Sequence, residues 1–440
     1  MSSPSRRAFV LGGASAALAA GAAAQPRDDL QAWLEAHVSP IRAIDPADED
    51  FRDLEPLGDA VGGARVVQLG EPSHGAGSCF AAKARIVKFL HQRHGFDVLI
   101  WESGLYDVAL AQAAMRGTDD PMTAAQRGVF TLWSMAAEVK PLFAYIKASQ
   151  ATPRPLEMAG FDMQVTADGS SARFAEDLRA FSGGVRKPAL RDRASSLAEQ
   201  ALAARGRLYA GKFSSQDDLD ALTAATRDLI ALIHDNRAAF EAVRGPLGTD
   251  FMTRAIDNMR ADAAFRAEFA RAPATTPARE SSRDAVNAVN LRWLLEEQYA
   301  RRKAIVWAHD VHVMNAYYDS NFRGVHQTQQ TGDMKPTGTF IADWLGKQVY
   351  TLGMTTFQGE DGFAMGGPAT PVPAAPDGSL EARLHAMGHP YAFVDLRTLD
   401  SRASVAVRLP KYDVNTVTDL GRVYGGIFYV DQMARATRAA

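Results

Sequence analysis

The chain has 440 residues, 47% hydrophobic and 22% charged, with a formal net charge of −3. That balance belongs to a folded protein with ample apolar surface to bury, and an aromatic content of 9% argues against wholesale disorder. No basic block or stripe stands out, which excludes nucleic acid and an anionic membrane surface as partners. The length admits two or three domains, or one large domain with an insertion.

Ser5-Arg6-Arg7-Ala8-Phe9-Val10 is a twin-arginine signature, followed by a weakly apolar run rich in Ala and Gly. The run ends in Ala22-Ala23-Ala24, a small-residue cleavage site. A spanning helix needs about 20 strongly apolar residues. The expectation is therefore a cleaved signal over residues 1–24, transient contact with the twin-arginine export machinery, and a periplasmic or secreted protein without stable membrane insertion. Cleavage removes two arginines and no acids, so the remainder is more negative still. Cys79 is the single cysteine, so no intrachain disulfide can form, and it reads as a small buried residue.

In chain order, the β-rich runs are Arg65–Leu69, Asp97–Trp101, Leu156–Phe161, Ala304–Trp307, Val349–Gly353, Tyr391–Val394 and Ile427–Val430. Their apolar residues are consecutive and not alternating, as suits strands covered on both faces. Phe80–Arg93 has one apolar helical face between the first two, which makes a βαβ unit. Residues 171–300 lack β-branched runs. Leu219, Leu222, Thr226, Leu229 and Ile233 recur there at helical spacing. Ser281 to Asp284 has capping-box spacing and predicts a helix start. The fold expected is α/β, a central mostly parallel sheet flanked by helices, with a helical insertion at about 171–300. Ala272–Pro277 and Pro368–Pro376 read as surface loops.

Gly70-Glu71-Pro72-Ser73-His74-Gly75 directly follows the first strand, where α/β folds bind ligands. Alone, such a turn is as readily a polar cap as a site. The second strand runs into Glu102, and a carboxylate there needs a partner or a task. The Ala304–Trp307 strand runs into His309 and His312, which share a face if the chain turns helical. Three histidines and two glutamates from three strand ends favour a catalytic or metal cluster over isolated structural residues. No GxSxG elbow, HExxH, phosphate loop, CxxC or strand-bound dinucleotide fingerprint is present. His91 and His94 sit at a helix end, where they complement the dipole. His326, His385 and His389 read as surface or loop residues, and Arg283 with Asp284 as an ion pair at a helix start.

These motifs resemble the erythromycin esterase family. The resemblance runs from the Gly70–Gly75 turn through Lys83 and Arg85, Glu102, Trp133 and Glu138, and Gly160-Phe161-Asp162. It continues through Arg283-Asp284, Asn290 and Trp293, Trp307–His312, Gly353–Thr356 and the Gly426–Val430 strand. Asn287 and Asp310 depart from the family pattern, and these departures bear on macrolide recognition. The resemblance implies hydrolysis of a cyclic ester, with a small-molecule ester or lactone as substrate, no cofactor and no required metal. His74 would be the general base, and Glu71 and Glu102 would orient imidazoles. His309 and His312, with Lys83 or Arg85 nearby, would support the oxyanion. Lys83, Arg85, Trp133, Asp162 and Arg283 are the candidate substrate contacts. Two other readings stay open: a metal-dependent hydrolase at the same histidines, and a non-catalytic periplasmic binding protein.

Overall fold

The computed structural model describes residues 29–117, 120–165, 167, 169–271, 277–316, 335–409 and 411–439. The twin-arginine segment, its cleavage site and His326 lie outside them.

Eleven strands form among the described residues: β1 (Val38–Ile41), β2 (Val66–Leu69), β3 (Phe96–Gly104), β4 (Glu157–Asp162), β5 (Lys303–Trp307), β6 (Val349–Asp361), β7 (Thr370–Val372), β8 (Tyr391–Asp395), β9 (Ser404–Arg408), β10 (Val414–Thr418) and β11 (Gly426–Met433). Nine make one sheet in the order β1-β8-β11-β6-β2-β5-β3-β4, with β7 paired to the far end of β6. From β11 to β4 every pairing is parallel, whereas β8 pairs antiparallel with both β11 and β1. All four residues of β2 are buried, as are the last four of β5, because both faces of the sheet are covered.

The two faces carry separate cores. Helix Gly77–His94, which links β2 to β3, packs Cys79, Phe80, Val87, Phe89 and Leu90 into one of them. Helix Thr337–Leu345, between β5 and β6, packs Ile341 and Leu345 into the other. The chain therefore leaves the adjacent strands β2 and β5 toward opposite faces. That divergence opens a crevice at the carboxyl ends of the strands.

The helical region forms a third core. Helices Ser170–Gly183, Pro188–Ala210, Gln216–Asp235 and Arg237–Arg271 bury Phe181, Leu208, Leu222, Leu229, Phe240 and Ile256 against each other. Fully burying side chains of this size stabilises by roughly 1.5–3 kcal/mol each. The last of these helices is broken at Gly245, whose φ of 72° only glycine adopts readily, with Pro246 next.

Two local expectations are corrected. The helix through Ser281 starts earlier, at Pro277, so Ser281 is not its cap; its Oγ accepts from the Lys335 backbone N–H. Thr370–Val372 is not loop but the short strand β7. The outer edge of β4 is closed by side-chain amides. Met158 N–H donates to Gln112 Oε1 at 2.7 Å, Met163 N–H donates to Asn287 Oδ1 at 2.9 Å, and Asn290 donates to the Phe161 carbonyl at 3.1 Å. These bonds satisfy backbone groups that a bare edge would leave open.

Candidate active site

Glu71 follows β2 at once, on a turn that requires glycine before it. A Cβ on Gly70 would fall 1.9 Å from Asp310 Oδ1. Glu71 has no exposed surface. Its Oε1 accepts from His74 Nδ1 and from Trp133 Nε1, each at 3.1 Å. Its Oε2 accepts from Lys83 Nζ, which also reaches the Ala308 carbonyl at 3.2 Å and lies over the Trp307 ring. Burial lowers the Lys83 pKa, and Glu71 offsets only part of that. His74 is the accessible member, with 26% of its side chain exposed. Its Nδ1–H is committed to Glu71, which leaves the lone pair of Nε2 uncommitted.

Just past the end of β5 lies His309, whose ring centroid is 5.1 Å from that of His74. His309 caps the short helix Asp310–Val313: its Nδ1 accepts from the Val311 N–H at 3.1 Å, so the ring proton sits on Nε2. Burial, with the nearby His74 and His312, pushes its pKa well below the usual range and keeps it neutral.

His312 is one helical turn on and sits in a clamp of charges. Its Nδ1 lies 2.8 Å from Asp284 Oδ1. Its Nε2 lies 3.3 Å from Glu102 Oε1 and 3.1 Å from Arg283 Nη1. Burial works against its charged form, but Asp284 and Glu102 outweigh burial and Arg283, and its pKa is pushed up to about 9. In the charged form Nδ1–H donates to Asp284, and Nε2 stands in an ion pair with Glu102. Glu102 Oε2 accepts from the His309 backbone N–H at 2.9 Å. Burial would raise the Glu102 pKa, yet His312, His74 and Arg283 hold it well below the carboxylate range. Arg283 bridges Glu102, at 3.0 Å, and Asp162 at the end of β4. Thr337 Oγ1 donates to Asp284 Oδ1 at 2.7 Å.

These groups surround a cavity of about 210 Å³ lined by His74, Glu102, Ser103, Gly104, Phe130, Asp162, Gln164, Arg283 and His312. The structure thus brings His74, Glu102, Asp162, Arg283 and His312 to one wall. Glu71, Lys83 and Trp133 stand behind it without exposed surface, so Lys83 and Trp133 support Glu71 instead of lining the cavity.

Arg85 lies elsewhere. It donates to both oxygens of Asp53, at 3.0 and 2.7 Å, and to the carbonyls of Ala43, Asp48 and Asp50. Two positions after Lys83 on a helix, it points about 200° away around the axis. Arg283 and Asp284 are likewise not paired with each other and serve separate partners. His91 and His94 lie in the last turn of helix Gly77–His94, as expected. His91 is buried between Tyr145 and the Arg154 carbonyl, and burial lowers both pKa values toward the neutral ring.

Sequence reasoning missed Asp284 as the partner of His312, along with Ser103, Phe130 and Gln164 in the lining. Ser103 Oγ accepts from the Phe130 N–H at 2.9 Å, which seats that ring at the cavity. Among the described residues no group of three His, Cys, Asp or Glu side chains is arranged to hold a metal ion.

A family model described as erythromycin esterase matches residues 91–431. The chain belongs to the erythromycin esterase family. The matched span contains Glu102, Asp162, Arg283, His309 and His312, while the Glu71–His74 turn precedes it. YbfO of Bacillus subtilis (strain 168), a putative hydrolase, is 25% identical over 400 residues, 86% of this chain and 84% of that one. The erythromycin esterase type I of Escherichia coli is 25% identical over 132 residues, 28% of this chain and 30% of that one. Among solved structures, a Bacillus cereus protein superposes with a TM-score of 0.73 at 19% identity, over 93% of this chain and 98% of that one. A mutant of the erythromycin esterase EreC in its open conformation gives a TM-score of 0.66 at 15% identity, over 91% of this chain and 98% of that one. At these identities the structural likenesses concern the fold, which this erythromycin esterase family member shares over nearly its whole described length.

Proposed function

We propose that this chain is an exported hydrolase that cleaves a carboxylic ester or lactone with water activated by His74. The observation that carries the reading is the polarity of that imidazole. One nitrogen is bound to a buried glutamate, and the side chain lines a cavity that His312 and Arg283 also line.

In the reaction, His74 Nε2 takes a proton from water, and Glu71 stabilises the imidazolium that forms. The water oxygen attacks the carbonyl carbon. The resulting oxyanion develops near His312 and Arg283, whose charges are fixed in advance by Asp284, Glu102 and Asp162. His309 adds a neutral N–H donor. The tetrahedral species then collapses, and the departing alkoxide takes the proton from His74. The water oxygen stays in the carboxylic acid, and the C–O bond to the alcohol breaks.

The test is a turnover screen of the mature protein against macrolides, simple lactones and linear esters, with His74→Ala alongside. Expected is hydrolysis of at least one class, reduced roughly 10²–10⁴-fold in the variant without loss of fold. No turnover of any ester or lactone, or full activity in the variant, overturns it. Export is read from Ser5–Val10 and Ala22–Ala24. Cell fractionation of the wild type and of the Arg6→Lys, Arg7→Lys double variant tests it: the first is expected outside the cytoplasm and the second inside. Equal cytoplasmic retention of both ends the export reading.

A further inference from the structure

Asp310 is a buried carboxyl that the mechanism above leaves unused. It has no exposed surface. Its Oδ1 accepts from the Met354 N–H on β6 at 3.2 Å, and its own N–H donates to the Glu71 carbonyl at 2.9 Å. Its carbonyl accepts from Tyr424 Oη at 3.3 Å. Gly70 packs directly against the carboxyl, which leaves no room there for a Cβ. Oδ2 is buried and has no hydrogen-bond partner among the described residues.

The titratable groups facing Asp310 are Lys83 and Cys79 from helix Gly77–His94, Glu71 from the β2 turn, Tyr412 from the turn between β9 and β10, and Tyr424. The cation among them, Lys83, is hydrogen-bonded to Glu71 and the Ala308 carbonyl and not to Asp310. A buried carboxylate with one oxygen unpartnered and no bonded cation pays several kcal/mol for its charge; holding a proton is cheaper. Burial pushes the group well above the carboxylate range, and the Met354 N–H and Lys83 only partly oppose it.

We propose that Asp310 is a positioning residue that works as an uncharged acid, wedging the Gly70–Glu71 turn against β6 and so holding Glu71 behind His74. A second anion here would compete with Glu71 for Lys83. The neutral acid keeps that ammonium, and through it the Glu71–His74 bond, in place. The positioning role rests on the reading of His74 as the base. The protonation state does not.

The experiment compares the full mature chain with Asp310→Asn and Asp310→Leu. The folded-state pKa lies above the unfolded value of about 3.9, so stability is complete below that pH and is lost as pH rises toward the folded value. Asp310→Asn has no such loss. Its melting temperature, relative to wild type, is expected to climb by roughly 2–4 °C between pH 4 and pH 8. On an ester that the wild type hydrolyses, Asp310→Asn should stay within about threefold in kcat/KM. Asp310→Leu should lose about tenfold or more, mainly in kcat. If Asp310→Asn instead loses melting temperature relative to wild type as pH rises, the carboxyl is ionised and the proposal fails. If Asp310→Leu is as active as Asp310→Asn, the positioning role fails. If no ester is turned over, that role falls with the catalytic reading, while the melting comparison still decides the charge.

Discussion

The two histidines that line the cleft face it with different surroundings. His74 is hydrogen-bonded to one carboxylate, Glu71, which it shares with Lys83 and Trp133. His312 meets two, Asp284 and Glu102, with Arg283 alongside. The first ring has a nitrogen left over for a proton. The second has both engaged and is held as a cation. The same side chain is set to two tasks by the number of acids around it, and substitutions that change that number separate the tasks.

Removing the first ring has the largest expected effect. His74→Ala should lower kcat/KM roughly 10²–10⁴-fold at every pH, because the proton acceptor is gone. A loss confined to one pH limb would mean that His74 tunes another base.

Arg85 gives the next largest effect, on stability alone. Arg85→Met leaves Asp53 without its bidentate partner in a site where the arginine is 1% exposed. Breaking such a buried pair costs about 3–5 kcal/mol. Urea unfolding should show that loss while kcat/KM per folded molecule stays at the wild-type value. A raised KM at unchanged stability would return Arg85 to the substrate.

On the cationic side the expected change is a displaced pH limb. His312 has a folded pKa of about 9, above its unfolded value of about 6.5. Its contribution to stability is therefore complete below about pH 6.5 and is lost as pH rises through 9, and activity should fall over the same upper range. Asp284→Asn removes the acid bound to Nδ1 and should bring the alkaline limb down by about 1–3 units, with activity at pH 6 largely kept. An unmoved limb would mean that another group titrates there.

How much of this was legible follows from the kind of pattern each element leaves. The central strands announce themselves because burial on both faces demands consecutive apolar residues, and their last residues led straight to Glu71, Glu102 and His309. β9 and β10 alternate over most of their length instead, with Val405, Val407, Asn415 and Val417 buried between the more exposed Ser404, Ala406, Thr416 and Thr418, so a search for unbroken runs passes over them. β1 is short and carries Pro40. The false cap at Ser281 shows that a four-residue spacing cannot report a helix already under way. The separation of Lys83 from Arg85 was readable from helical geometry, since i and i+2 face apart. The pairing of Asp284 with His312 was not, because it joins positions 28 residues apart that only the packed sheet brings together.

The smallest effect sharpens the contrast between the two rings. Trp133→Phe removes one of the two hydrogen bonds to Glu71 Oε1 and leaves the one from His74. The charge on Glu71 stays balanced by Lys83, so the loss should be about 1 kcal/mol, or about fivefold in kcat/KM. Because Trp133 touches neither Glu102 nor Asp284, the drop should be uniform from acid to alkaline pH, with the limb governed by His312 unmoved. A shifted limb in Trp133→Phe would show that the two histidines titrate as one unit, and the division of labour between them would have to be given up.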